Sequence, residues 1–525
     1  MKLVSARAMR ALDERTINEA GTPGHVLMER AGAGAARAFV ATFPEIVGKN
    51  VTVFCGKGNN GGDGLVIARL LSEMGTPARA ALLGEAAGLS GDPARMLSQA
   101  RAAGVRVDEV TSEDALSALG PALSESAGIV DALFGTGLER PVAGLSACAI
   151  ERMNGRRRDQ RALAVDISSG VDATTGAILG EALRADLTVT FGLPKLGHVL
   201  FPGAALAGRL QVVDIGIPET YVGEAEIQDA IMTRAAALRA FPDRPKDAHK
   251  GSFGHLLIIA GSPGKTGAAA MTAQAAMRCG TGLVTLAVPE SLAAVLAVKL
   301  TEAMCEGVAE TDARTLGRKA SERIATLSEG KSALAIGPGL STHPETVDLV
   351  RDLARTETRP MLMDADALNA LAGHLDALAD CSGPRVLTPH PGEMGRLLGV
   401  DAERVNADRI GAARGFARTQ GVVLVLKGAH TVIAAPDGQV RVNLTGNPGM
   451  ASGGMGDALS GIISGFLAQG VPPFEAACLG VYLHGLAGDL AARELGTVGL
   501  LASDLIARLP ATIDTLLCGR TDATF

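Results

Sequence analysis

With 525 residues the chain is too long for one ordinary hydrophobic core, so two or more domains are expected. Hydrophobic residues at 47% and charged residues at 20% exclude an extended disordered protein, and a net charge of −7 argues against a general electrostatic role on nucleic acid. Seven cysteines without a C-x-x-C pair indicate neither a disulfide framework nor a zinc knuckle, which makes a reducing, cytoplasmic setting the expectation.

From Ser5 to Phe43 the pattern is helical, with Met9, Leu12, Ile17, Val26, Leu27 and Ala31 able to line apolar faces. The first residues are charged and lack the apolar segment of a signal peptide, and no stretch reaches the length of a membrane span, so no membrane partner is expected. Short apolar runs then alternate with helical segments: VTVFC, ARAALLG, AGIVDALFG, RALAVDIS, ADLTVTFG and LQVVDIG. That succession predicts βαβ units, hence an α/β fold with a parallel sheet covered by helices on both faces. Ligands in such sheets bind beyond the carboxyl ends of the strands, where GKGNNGGDG, DALFGTG and DISSGVD all begin.

The loop CGKGNNGGDG, Cys55 to Gly64, satisfies G-x-G-x-x-G at Gly56, Gly58 and Gly61, the pattern that brings a pyrophosphate to a helix N-terminus in dehydrogenases. A dehydrogenase also needs an acidic residue after the next strand, where Glu85 is a weak candidate. Asn59, Asn60 and Asp63 crowd the loop with amide and carboxylate oxygens, which suit a hard cation or a polar ligand ring. Asp131, Asp166, Ser168 and Ser169 add oxygens at two further strand ends, although each alone is also an ordinary turn former or cap.

A polar stretch, FPDRPKDAHKGSFG, follows a helical segment, and the domain junction is placed near residue 230. Alternation then restarts with HLLIIAG, LVTLAVPE, SALAIGPG, PMLMDAD, PRVLTPH and VVLVLKG, and Met450 to Leu517 reads as consecutive helices. GSPGKTG fails as a P-loop because Ile259 occupies the position of its first glycine. NLTGNPGMASGGMGDALSGIISGFLAQG is sharper: Gly446, Gly449, Gly453, Gly454 and Gly456 precede Asp457, which opens an apolar helix. Backbone N–H groups there, with the helix dipole behind them, would stabilise a transferring phosphoryl group, and Asp457 would take a proton from an attacking hydroxyl. The alternative is that Asp457 merely caps the helix.

In order, GSFGHLLIIAGSPGKTGAAAMTAQAAMRCGTGLVTLA, IGPGL, DADALN, LTPHPGEMGRLLG, LKGAHTVIA and GNPGMASGGMGDALSGIISG resemble the ADP-dependent NAD(P)H-hydrate dehydratases of the ribokinase-like fold. The resemblance implies a ribokinase-like α/β domain over 231–525 that phosphorylates the hydrate's hydroxyl from ADP, with Mg²⁺, and then eliminates phosphate. It implies that Ala268, Gly339 and His390 contact the hydrate, that Lys427, Gly428, Ala429, His430, Thr431 and Gly456 contact ADP, and that Asp457 is the base. Glu393 stands where related kinases organise Mg²⁺ and phosphate, and His390 replaces the more usual Asn. Lys265 and Met455 depart from the commoner Met and Ser; Lys265 would either add a phosphate contact or point to solvent. Asp364 and Asp366 also end a strand but are not taken as direct catalytic groups.

The first half is similar to NAD(P)H-hydrate epimerase domains through LMERAG, GKGNNGGDG, VDALFGTGL, AVDISSGVDATTG, TVTFGLPKLG and DIGIP. This implies a Rossmann-like parallel-sheet domain over 1–230, with K⁺ held by Asn60, Asp131 and Ser169. The hydrate would then meet Asn59, Asn60, Gly61, Gly62 and Asp63, together with Gly135, Thr136, Gly137, Leu138, Glu139, Arg140, Pro141 and Asp166. Epimerisation makes and breaks a bond at the hydroxyl-bearing carbon, for which Asp166 is the candidate acid/base group. Ser168 replaces the family's Pro and Arg30 its Asn; Ser168 is expected to loosen the turn that positions Asp166 and Ser169. Together the halves imply repair of both epimers of the hydrates NADHX and NADPHX by a homo-oligomer. The rival reading joins a vitamin-precursor kinase to a non-catalytic binding module.

Overall fold

The computed structural model describes residues 1–379, 381 and 383–518. The chain divides into two compact units, one from Lys2 to Ile227 and one from Gln228 onward together with Met1.

The first unit opens with helices α1 (Ala6–Asn18), capped by the Ser5 hydroxyl, and α2 (Gly24–Thr42). α1 buries Met9, Leu12 and Thr16, whereas Ile17 is left 38% exposed. Seven strands follow: β1 (Val51–Cys55), β2 (Ala78–Leu83), β3 (Arg106–Val110), β4 (Gly128–Ala132), β5 (Arg161–Val165), β6 (Leu187–Phe191) and β7 (Arg209–Val213). They form one parallel sheet in the order β3-β2-β1-β4-β5-β6-β7. β3, the sequence RVDEV, is absent from the apolar runs read above because an edge strand is mostly exposed and carries charge. β1 alternates its side chains: Val53 and Cys55 pack with Phe39 and Leu65, and Phe54 packs with Ile150 on the other face. Between β1 and β4 the strand order reverses, and a crevice opens at such a switch point.

The second unit holds β8 (Asp229–Ile231), β9 (His255–Ile259), β10 (Leu283–Pro289), β11 (Met304–Val308), β12 (Ala333–Ile336), β13 (Met361–Met363), β14 (Arg385–Leu387), β15 (Val423–Leu426), β16 (Val432–Ala434) and β17 (Val440–Val442). Their order is β11-β10-β9-β12-β13-β14-β15-β16-β17-β8. β16 runs antiparallel to β15 and β17, so this sheet is mixed where the sequence pattern suggested continued βαβ alternation. Only Lys427 to Thr431 separate β15 from β16, far too few residues for a parallel crossover. The helices that matter below are α3 (Asn59–Glu73) in the first unit, then α4 (Thr266–Arg278), α5 (Pro344–Thr356), α6 (Pro391–Leu398), α7 (Met455–Ala468), α8 (Pro473–Leu495) and α9 (Ala502–Cys518) in the second. α4 and α7 approach backbone to backbone: a Cβ on Gly461 would lie 2.1 Å from the Thr272 carbonyl oxygen. The last three helices match the strandless tail read from the sequence.

Arg385, 1% exposed, closes the C-terminus of α5 by donating to the carbonyls of Ala354, at 2.9 Å, and Glu357, as well as Arg359. Arg385→Met leaves these buried acceptors without donors and is expected to lower the stability of this unit by ~2–4 kcal/mol. A urea-unfolding midpoint unchanged from wild type would contradict that role.

Candidate active sites

In the first unit a cleft of about 830 Å³ opens at the carboxyl ends of β1, β4 and β5. The glycines of the opening loop bring backbones together at its floor. A Cβ on Gly61 would lie 1.8 Å from the Gly56 oxygen, and one on Gly56 would lie 2.1 Å from the Leu133 oxygen. Asn59 and Asn60 begin α3 behind Gly58, so the asparagine pair sits at a helix N-terminus. Asn59, Asn60, Asp63, Gly135, Thr136, Gly137, Leu138 and Asp166 line the cleft; Gly61 and Gly62 are buried in α3, and Glu139, Arg140 and Pro141 are exposed and lie outside it. Glu85 is exposed and outside it as well, so the acidic residue that follows β2 does not line the cleft.

Asp166 adopts φ 65°, and its carboxylate receives Lys195 Nζ at 2.6 Å and the Thr190 hydroxyl at 3.0 Å. Burial opposes ionisation of Asp166, but the Lys195 ammonium outweighs it and holds the carboxyl below the usual range. His198 Nδ1 accepts the Lys195 backbone N–H, so its Nε2 carries the proton and donates to the Asp166 carbonyl at 2.8 Å. Burial, then the Lys195 charge, push His198 down to about 4, so the ring stays neutral. The Ser168 hydroxyl donates to the Leu206 carbonyl at 3.3 Å and the Ser168 carbonyl accepts the Val171 N–H at 3.0 Å, so the residue is hydrogen-bonded through both side chain and backbone. Arg30 is exposed and donates to the Ile215 carbonyl at 3.0 Å.

Asp131 and Ser169 meet directly: the Ser169 hydroxyl and backbone N–H both donate to the Asp131 carboxylate, at 2.7 and 2.8 Å. The Ser169 oxygen also accepts the Phe134 N–H at 2.9 Å. Burial pushes Asp131 up to about 6 despite these donors. Asn60 lies against Gly135, and its buried Nδ2 has no partner; a turn of this amide puts Oδ1 there instead. One carboxylate with neutral hydroxyl, amide and carbonyl oxygens is a donor set that fits a weakly charged cation such as K⁺.

In the second unit the functional side chains converge on the N-terminus of α7. Gly454 is the N-cap at φ 91°, which puts Asp457 inside the first turn rather than at the cap. No side chain among the described residues donates to its carboxylate, and the Thr272 hydroxyl ties its backbone carbonyl to α4 at 3.2 Å. Burial, then the Asp364 charge, raise Asp457 to about 6, partly offset by Lys427. Lys427, assigned above to ADP, is gripped by Asp364 at 2.7 Å and lies 3.6 Å from Glu393. Ser460 of α7 donates to the other Asp364 oxygen at 2.6 Å, so both oxygens of this buried carboxylate have partners. Gly456 is held close to this pair, since a Cβ there would be 3.6 Å from Lys427 Nζ.

His390 is the N-cap of α6: its Nδ1 accepts the Gly392 and Glu393 N–H groups, while Glu393 accepts the His390 N–H at 2.8 Å. Only the Nε2 edge of His390 is left to meet a ligand. Gly339 packs against Lys265 and Ala268, and Lys265, an exposed side chain, pairs with Asp366 at 3.0 Å. Gly428 sits at φ 147° beside Arg409, which donates to the Leu426 carbonyl, while the Thr431 hydroxyl closes onto the Gly428 carbonyl at 3.0 Å. Ala429 and His430 complete this turn between β15 and β16.

Residues 256–511 match the family model described as NAD(P)H-hydrate dehydratase, and residues 24–197 match that of the YjeF-related protein N-terminus. The bifunctional NAD(P)H-hydrate repair enzyme Nnr of Moorella thermoacetica is 45% identical over 517 residues, covering 98% of this chain and 97% of the relative. The chain belongs to the bifunctional NAD(P)H-hydrate repair enzymes. Its counterpart in Thermofilum pendens is 40% identical over 518 residues, 98% of this chain and 97% of that one. Among solved structures, an ADP/ATP-dependent NAD(P)H-hydrate dehydratase from Bacillus subtilis, co-crystallised with ATP/Mg²⁺, aligns with TM-score 0.48 at 33% identity over 55% of this chain and 98% of that one.

Sequence reading of this family member missed Lys195, although it lies within the quoted TVTFGLPKLG, because its partner Asp166 is remote in the chain. It also missed Asp489 of α8, which holds the glycine loop by accepting from the Gly446 N–H and the Asn447 amide, both at 2.9 Å. Asp457 supplies a signed test. Its pKa is raised from 3.8 to about 6, so the folded state binds the proton more tightly and loses stability as pH rises through that window. Asp457→Asn is therefore expected to raise the melting temperature at pH 8, equivalent to ~1–3 kcal/mol, and not at pH 4. A fall in melting temperature at pH 8 would return Asp457 to the role of a helix cap.

Proposed function

We propose that the chain repairs hydrated nicotinamide cofactors, a reading carried by full-length kinship, at 45% identity, with a bifunctional repair enzyme. The N-terminal unit interconverts the R and S epimers of NADHX and NADPHX. The C-terminal unit dehydrates the S epimer at the expense of ADP, giving AMP and phosphate. A vitamin-precursor kinase joined to a non-catalytic module is not favoured, because the kinship runs through both units.

In the C-terminal unit Ala268, Gly339 and the Nε2 edge of His390 hold the hydrate. Lys427, Gly428, Ala429, His430, Thr431 and Gly456 hold ADP. Asp457 accepts the proton of the hydrate hydroxyl as its oxygen attacks the terminal phosphorus of ADP and AMP departs. N–H groups of the first turn of α7 stabilise the charge that develops on the transferring group. Loss of phosphate, with a proton from the adjacent carbon, then forms the C=C bond. Mg²⁺ in phosphoryl-transfer sites takes one or two carboxylates and substrate phosphates, and Glu393 beside Lys427 fits that use. When bound, it neutralises phosphate charge.

In the N-terminal unit Asn60, Asp131 and Ser169 hold K⁺, which supplies a weakly charged anchor for a polar ligand. Asn59 to Asp63, Gly135 to Leu138 and Asp166 receive the hydrate, and Asp166 acts as acid/base group. The reading includes a cytoplasmic homo-oligomer; no helix among the described residues is long and apolar enough to cross a membrane, and no disulfide joins cysteines among them.

With both epimers of NADH hydrate, ADP, Mg²⁺ and K⁺, the protein is expected to restore NADH absorbance completely, and Asp457→Asn to abolish recovery by at least ~100-fold while ADP still binds. Absence of recovery with either ADP or ATP would sink the reading.

A further inference from the structure

The epimerase cleft holds acidic groups that the roles above do not use. Asp13 of α1 lines the cleft with Asp63, Asp166 and Lys195, and its buried Oδ1 has no hydrogen-bond partner. α1 contributes Met9, Arg10, Asp13, Glu14 and Ile17 to this wall, which explains why Ile17 is left out of the core. Asp13 and Asp166 thus reach one cavity from different elements, a helix and the end of β5.

Epimerising a carbon that carries a hydroxyl and a ring nitrogen requires departure of oxygen from one face and its return to the other. A single carboxylate at one position serves one face well and the other poorly, so two groups are needed. We propose that Asp13 is the second acid/base group of the epimerase site, protonating the hydroxyl on one face while Asp166 serves the other. This rests on the epimerase reading of the N-terminal unit.

The step balances without an added reactant. The C–O bond breaks, the oxygen takes both electrons and the Asp13 proton and leaves as water, and the ring nitrogen lone pair forms a C=N⁺ bond. Water then adds to the opposite face of that carbon, the C=N⁺ electrons return to nitrogen, and Asp166 takes the proton lost by the water. The reverse reaction uses the groups in exchanged roles, and solvent exchange resets the protons.

The electrostatics suit the assignment. Burial raises Asp13 to about 6, with Lys195 lowering it and Asp166 and Glu14 raising it. Asp166 is held ionised by Lys195. Burial, then Asp166 and Asp13, push Asp63 well above the usual range. The charged groups lining the cleft around Asp13 are Arg10 and Glu14 of its own helix, Lys57, Asp63, Asp92, Asp166 and Lys195.

The test uses the full chain, K⁺ and the R epimer of NADH hydrate without ADP, with R and S separated by chromatography and spontaneous exchange subtracted. Dehydration of the S epimer with ADP is the internal control. Wild-type kcat/KM for epimerisation is expected to fall about tenfold per pH unit above pH ~6, as Asp13 loses its proton. Asp13→Asn is expected to lower the rate at pH 6 by at least ~100-fold and to remove that decline, with dehydration retained. Retention of the rate within about threefold, or the same decline in the variant, overturns the assignment. So does loss of the decline in Asp63→Asn but not in Asp13→Asn. Wild type that dehydrates the S epimer yet never interconverts the pair overturns the epimerase reading itself, and the role of Asp13 with it.

Discussion

A lysine buried against an aspartate at the carboxyl end of a sheet governs both units. In the first, Lys195 lies 2.6 Å from Asp166, and its side chain is 1% exposed. In the second, Lys427 lies 2.7 Å from Asp364, whose side chain is 2% exposed. An unpaired charge at either depth would cost several kcal/mol, so each pair is locked together and each carboxylate stays ionised. A second carboxyl group placed nearby then meets both burial and a like charge. Asp13 and Asp457 are each raised to about 6 for these two reasons. Each site consequently keeps one ionised carboxylate beside one group that exchanges its proton near neutral pH, the condition under which a protein runs acid and base chemistry together.

Backbone segments also approach one another closely at these strand ends. A Cβ on Gly61 would strike the Gly56 oxygen, and one on Gly337 would lie 1.8 Å from the Asp364 oxygen. The same economy of side chains lets α7 lie on α4 at Gly461, and Gly456 in its first turn comes close to Lys427 and Asp364. Glycine in these loops is thus a packing requirement before it is a binding feature. The G-x-G-x-x-G spacing in the first unit serves the turn and the start of α3, and the polar residues between the glycines carry the chemistry.

Much of the fold was legible because apolar strands and helices differ in period. The runs VTVFC, HLLIIAG and VVLVLKG all became buried strands. RVDEV and MCEGV did not announce themselves, since edge strands are half exposed and carry charge. The hairpin of β16 and β17 was hidden by its length, three residues in each strand. Among site residues, Asp457 was legible because its glycine loop and apolar helix are contiguous with it. Lys195 was not, because the sequence GLPKLG reads as a plain turn until Asp166 is brought beside it. His390 shows the opposite limit: its place in HPGE was visible, but not that one ring nitrogen is spent on capping α6.

By itself, the sequence determined the alternation of strands and helices, the glycine loops at the strand ends and the presence of carboxylates, amides and hydroxyls within them. These follow from local pattern and from the conformations each residue type tolerates. Tertiary structure alone decided which carboxylates are ionised, which lysines are occupied by ion pairs, and which polar atoms, such as Asn60 Nδ2 and Asp13 Oδ1, are left without partners inside a cavity. The reason is that desolvation and Coulomb interaction depend on distance and depth, and residues remote along the chain set both.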